Sequence, residues 1–181
     1  QKDFHQLAAF FAPAEISLTG VRDTPGKDYR YRYLRLGEKE SIPQAVPFHE
    51  ELLPTQGGPR DRLARWVTHP ENRAFARTLV NRVWALMFNQ PLVKPIDSIP
   101  LDGPFPPGME VLAEDVIQHR FDLHRLIRVI ALSSPFQRDS RAPEGVEPSA
   151  GGTGFASFPL SRLRPEQVAG SVLQSSSLVT L

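Results

Sequence analysis

Between Arg77 and Trp84 the chain places two guanidinium groups, a carboxamide and an indole within two helical turns. Arg77, Asn81 and Trp84 fall at i, i+4 and i+7, which puts them on one helix face, with Arg82 beside them. Asparagine weakens a helix interior unless its amide is engaged, so Asn81 is expected to bond something outside its own helix. Two acids, Asp97 and Asp102, follow within a Pro-rich run. The six residues Arg77, Asn81, Arg82, Trp84, Asp97 and Asp102 therefore form the candidate ligand-binding set, with two readings. In one, Arg77 pairs Asp97 or Asp102 while Asn81 holds a backbone carbonyl of the loop. In the other, the same groups line a pocket for an anionic or carbohydrate ligand. The first is preferred, because a long loop needs hydrogen-bond anchors to be ordered.

Other constellations carry less. His119 and His124 are five apart, flanked by Glu114, Asp115 and Asp122, but ligands on one helix want a spacing of three or four, and Asp122 reads as the start of a new helix. No metal is expected there. His5, His49 and His69 are scattered and have no partner visible in the sequence. Adjacent Glu114 and Asp115 point to different helix faces and make a poor acid/base pair. No strand-borne G-x-S-x-G nucleophile turn occurs. The Gly-rich run at 149–154 lacks the strand, helix and Lys-Ser/Thr that a phosphate loop requires. No catalytic residue is assigned.

The elements that must position these groups can be read from periodicity. Phe4, Leu7, Ala8 and Phe11 give a short amphipathic helix stopped by Pro13. Residues 29–36, YRYRYLRL, alternate as a strand does, with Tyr29, Tyr31 and Tyr33 on one face; that face is expected to be packed against the protein rather than to serve as a stacking platform for bases or sugars. From Gly37 to Pro59 the Pro and Gly content reads as an extended linker. Pro59 suits a first helical turn, with Leu63, Trp66 and Val67 as its stripe. A second helix from about Glu71 carries Phe75, Leu79, Val80, Val83, Trp84, Met87 and Phe88, ended by Pro91. Residues 91–108 hold six Pro and two Gly and form a loop long enough to be functional or disordered. Two more helices are expected near Gly108–Phe121 and Asp122–Ser133, with Asp122 as N-cap. Residues 139–161 read as a mobile connection, and Pro165 opens a last helix through Val168, Val172 and Leu173. The expected fold is mainly α: a helix hairpin and a second helix pair joined by a Pro-rich loop, with a short β segment near the N-terminus. The expected division is 1–58, a terminal helix, β segment and linker of a preceding domain, and 59–181, a helical domain.

At 181 residues the chain is long enough to bury a real core, and its longest apolar runs are far short of the roughly 18 residues a spanning helix needs. No membrane span is expected. Seventeen of the 21 basic residues are Arg, the side chain suited to bidentate pairing with carboxylate or phosphate. Charge comes in blocks: residues 60–94 carry +5 and residues 95–122 carry −5. Arginines can thus find carboxylates inside the fold, and the uncompensated basic face of a nucleic-acid protein is not indicated. The absence of Cys excludes disulfides, thiolate metal sites and covalent c-type haem attachment within these residues. No basic and then apolar leader opens the chain, and it has no starting Met; it reads as an excised piece.

Residues 1–11, QKDFHQLAAFF, resemble the closing helix of the planctomycete-type domain of unknown function fifteen-forty-nine. The stretch from Arg60 through Pro95, and then PLDGPFPPGMEVLAEDVIQHRFDLHRLIRVIALSSPFQRDSR, resembles its usual companion, domain fifteen-fifty-three. The segments Ala76-Arg77, Asn81-Arg82-Val83-Trp84, Asp122-Leu123 and Leu126-Ile127 are the most specific, and SRLRPEQVAGSVLQSSSL resembles the family's next helix. The resemblance implies a large, exported protein, periplasmic or secreted, associated with c-type cytochrome modules. Without Cys this piece attaches no cofactor of that kind itself and leaves haem c to an upstream module. Partners implied are other domains of the same polypeptide or an electron-transfer protein. The resemblance supplies no activity and no catalytic residues. The expected function is that of a structural or interaction domain accessory to such a module. Alternatives are a carbohydrate-binding or hydrolytic enzyme domain using the Arg77, Asn81 and Trp84 face with the 91–108 loop, and nucleic-acid binding through the Arg-rich helices.

Overall fold

The first helix, α1 (Lys2–Ala9), lies where the Phe4–Phe11 stripe predicts, and Phe10 just beyond it is fully buried. The chain then turns into a hairpin the sequence did not announce, β1 (Ala14–Ser17) against β2 (Gly20–Asp23), antiparallel with Ser17 opposite Gly20. Its strands are almost wholly exposed, so no alternation of apolar and polar residues marks them. The turn depends on Gly20, whose φ of 123° is open to glycine and costly to other residues. A second antiparallel pair follows, β3 (Arg30–Tyr31) with β4 (Glu40–Ser41). These coordinates are a computed structural model, and it describes residues 1–32, 37, 39–141, 155, 157–159, 163 and 165–176. The remainder of the expected strand, Tyr33–Leu36, and most of the 139–161 connection lie outside the described residues.

Five helices complete the order: α2 (Pro59–Val67), α3 (Arg73–Phe88), α4 (Pro107–Gln118), α5 (Leu123–Leu132) and α6 (Pro165–Ser175). The protein is mainly α with a short β segment near the N-terminus. Among the described residues no helix is long and apolar enough to cross a membrane. The chain divides into two compact units, residues 1–77 and 78–181, with the boundary inside α3.

In the first unit, Phe10, Val46 and Trp66 are buried together, and Leu7, Phe48, Leu52, Leu53, Leu63 and Val67 pack around them. The stretch read as a linker thus contributes Val46, Phe48, Leu52 and Leu53 to a core. A 3₁₀ turn at Glu50–Leu52 helps present these side chains, and the Trp66 indole donates to the His49 carbonyl at 3.1 Å. Burying an aromatic or branched side chain contributes about 1.5–3 kcal/mol, enough to hold a Pro-rich segment without regular structure. The α2–α3 connection is closed by Asn72, fully buried, whose side chain donates to the Trp66 carbonyl at 2.9 Å.

In the second unit, α3 ends because Asn89 turns left-handed (φ 56°), a conformation asparagine tolerates, two residues before Pro91. Trp84 stacks on Phe88 with ring centroids 4.2 Å apart, and Phe136, Phe155 and Phe158 meet the Phe88 ring edge-on or tilted. On α4, Met109, Leu112, Ala113 and Val116 are buried, as are Leu126 and Ile130 on α5, which packs against α4. Helix α4 stops short of the expected Phe121, since Arg120 and Phe121 both adopt left-handed backbone, φ 53° and 60°. The Phe121 N–H reaches back to the Val116 carbonyl at 2.8 Å, which closes the helix end and holds the strained pair. Asp122 then caps α5, accepting from the Arg125 N–H at 3.1 Å.

Candidate functional site

Asn81 lies on the buried face of α3 and is wholly inaccessible. Its amide nitrogen donates to the Val93 carbonyl at 2.9 Å, and its amide oxygen accepts from the Val93 N–H at 3.0 Å. One side chain therefore satisfies both backbone groups of a loop residue, as a strand neighbour would. Both polar ends of Asn81 are committed to the protein. One residue on, the exposed Arg82 forms an ion pair with Asp97, so the same loop is tethered a second time, at its surface.

The remaining candidates do not converge with them. Asp97 takes Arg82 as its partner, where the sequence suggested Arg77. Asp102 is exposed and has no hydrogen bond or ion pair among the described residues. Arg77 is half-buried in the stretch of α3 that belongs to the first unit. Trp84 is only 6% exposed, and its indole N–H has no hydrogen-bond partner among the described residues, so it serves as a core ring.

The acids and histidines near the α4–α5 turn make a second network. Arg125 on α5 grips Asp115 on α4 through Nε at 3.0 Å to one carboxylate oxygen and Nη2 at 2.7 Å to the other. Hydrogen bonding from that guanidinium holds the Asp115 carboxyl below the usual carboxylate range, and the same contact raises Arg125. His119 bonds the Asp115 carbonyl through Nδ1 at 2.8 Å, at the negative end of the α4 dipole, whereas His124 is fully exposed. The two histidines thus have separate environments. Among the described residues no group of three or more His, Cys, Asp and Glu stands close enough to hold a metal ion.

One histidine that looked solitary in the sequence is engaged. His5 of α1 is buried, its Nδ1 lies 3.0 Å from the Tyr29 hydroxyl, and its ring sits 3.7 Å from that of Tyr31. Tyr29 and Tyr31, alternate residues of the YRYRY segment, thus both meet His5 of α1, while Tyr33 lies outside the described residues. Beside Tyr29 the first unit opens a cavity of about 310 Å³, lined by Asp28, Tyr29, Ser41, Gln44 and Arg62 among others. A neighbouring cavity of about 440 Å³ shares Lys27, Asp28 and Gln44. None of the six candidate residues lines either cavity. Sequence reasoning missed these lining residues because they come from four separated segments; the alternating tyrosines were the one legible sign.

No curated protein and no solved structure matches the chain. A family match covers residues 59–181, running from the start of α2 to the C-terminal residue. The chain therefore belongs to the PSD1 family, described as protein of unknown function (DUF1553).

Proposed function

We propose that this chain is a structural or interaction domain of an exported multidomain protein, accessory to a c-type cytochrome module. The observation that carries the reading is the fate of Asn81: the polar side chain best placed for chemistry in the helix is buried with both ends on the Val93 backbone. Arg82 with Asp97 and Arg125 with Asp115 continue the pattern, in which arginines tie one part of the fold to another. A helical body whose polar groups are engaged in holding loops suits a scaffold that positions neighbouring modules. The resemblance of residues 1–11 to the end of domain fifteen-forty-nine supports a partner domain in the same polypeptide, and the usual company of that pair supports a periplasmic or secreted location with haem c in an upstream module. The test is to express the gene product that carries this chain in its own host, fractionate the cells and assay covalent haem by pyridine haemochrome. Recovery outside the cytoplasm with bound haem is expected. A cytoplasmic, haem-free product would overturn the reading.

A further inference from the structure

The first unit contains a concave polar surface that the scaffold reading leaves without a role. Its rim is pinned by the backbone: the Ile42 N–H donates to the Tyr29 carbonyl at 2.9 Å, and the Thr24 N–H to the Pro13 carbonyl at 2.8 Å. Arg62, on the second turn of α2, is half-buried and fixed by two neutral acceptors, the Pro54 carbonyl at 2.6 Å and the Gln44 side-chain oxygen at 3.2 Å. Since the Gln44 oxygen is engaged, its NH₂ group is left with two donors and no acceptor among the described residues. The Tyr29 hydroxyl is bound to His5; whichever atom donates, the phenol oxygen keeps hydrogen-bonding capacity for a further group. Asp28 lines both cavities, and its carboxylate makes no hydrogen bond or ion pair among the described residues. Ser41 adds a hydroxyl.

Charge selects the ligand class. Lys27 is paired with Glu15, so Asp28 and Arg62 remain as one negative and one positive group on the cavity wall. Counting Glu15 beside Lys27, the charges at the cavity balance and give no net attraction to a phosphate or a polycation. The lining presents interleaved donors and acceptors, with Tyr29, Gln44 and Arg62 already held in place, which favours a molecule most of whose carbons carry a group that both donates and accepts. We infer that the cavity beside Tyr29 binds a neutral saccharide, with the Asp28 carboxylate accepting from two adjacent hydroxyls and the Gln44 amide donating to a third oxygen. At about 310 Å³ it takes one sugar ring, and the neighbouring space of about 440 Å³ gives a second ring somewhere to go. This inference is independent of the scaffold proposal, since it concerns a surface that proposal does not use.

Saturation-transfer NMR on the whole 181-residue chain with D-glucose, D-galactose and N-acetyl-D-glucosamine tests it. Transfer to at least one sugar is expected, and Asp28→Asn should weaken it about tenfold because charge-assisted hydrogen bonds are about twice as strong as neutral ones. Gln44→Ala should weaken it too, with the melting temperature of both variants within a few degrees of the parent. Glu166→Gln, at an exposed acid of α6 in the other unit, should change nothing. The inference fails if no sugar shows transfer, if inorganic phosphate competes the signal away, or if Glu166→Gln weakens binding as much as Asp28→Asn.

Discussion

Replacing Asn81 with alanine asks whether this side chain is a structural tether. The substitution removes one donor and one acceptor from a fully buried position and strands the Val93 N–H and carbonyl. Leaving a buried polar group without a partner costs about 1–3 kcal/mol, so two such groups set an upper range of about 2–6 kcal/mol. Val93 is only half-buried, and water can reach part of what is exposed, which brings the expectation to about 2–4 kcal/mol. For a chain of this size about 1 kcal/mol moves the midpoint by about 2–4 °C, so melting followed by far-ultraviolet circular dichroism should fall by about 4–16 °C. Asn81→Asp should be no better, because a carboxylate keeps the acceptor for the Val93 N–H but turns an oxygen toward the Val93 carbonyl. Arg82→Ala supplies the contrast: its ion pair is exposed, and such pairs are worth about 0–1 kcal/mol. If Asn81→Ala melts within a degree of the parent, the loop is not held by this residue and the tether reading is refuted.

Two further outcomes follow from the same physics. The Asp115 carboxyl titrates below its unfolded counterpart because Arg125 bonds its ionised form, so this contribution to stability is present above about pH 4 and fades as pH falls through the folded value. Asp115→Asn should therefore lower the urea midpoint at pH 7 and narrow the gap to the parent near pH 3; an equal gap at both pH values would show that the charge is not the cause. Trp84→Phe gives up an indole N–H that has no partner among the described residues, which offsets part of the lost packing, so it should cost less than about 2 kcal/mol where Trp84→Ala costs about 3–5 kcal/mol. Equal costs in denaturant titrations would mean that the N–H is bonded in solution.

Local chemistry made much of this protein legible before any coordinates. Proline can start a helix and cannot continue one, so Pro59 and Pro165 mark where α2 and α6 begin. Asp122 announces itself as a cap because its short acid can bond the N–H three residues ahead, and it does so. An asparagine in mid-helix has to use its amide, so Asn81 stood out, although nothing local names Val93 as the residue it takes. Contacts that join distant segments were decided only by the packed fold. Arg82 and not Arg77 reaches Asp97, Arg125 reaches Asp115 across the α4–α5 turn, and His5 meets Tyr29 and Tyr31, at the start of β3 and more than twenty residues away. The β1–β2 hairpin left no trace in the pattern because neither of its faces is buried. Periodicity reports which side of an element is buried, and a cap or a proline acts within one turn. Which arginine meets which acid, and which polar groups are left facing a cavity, depends on the long-range placement of whole elements, and that is a property of tertiary structure.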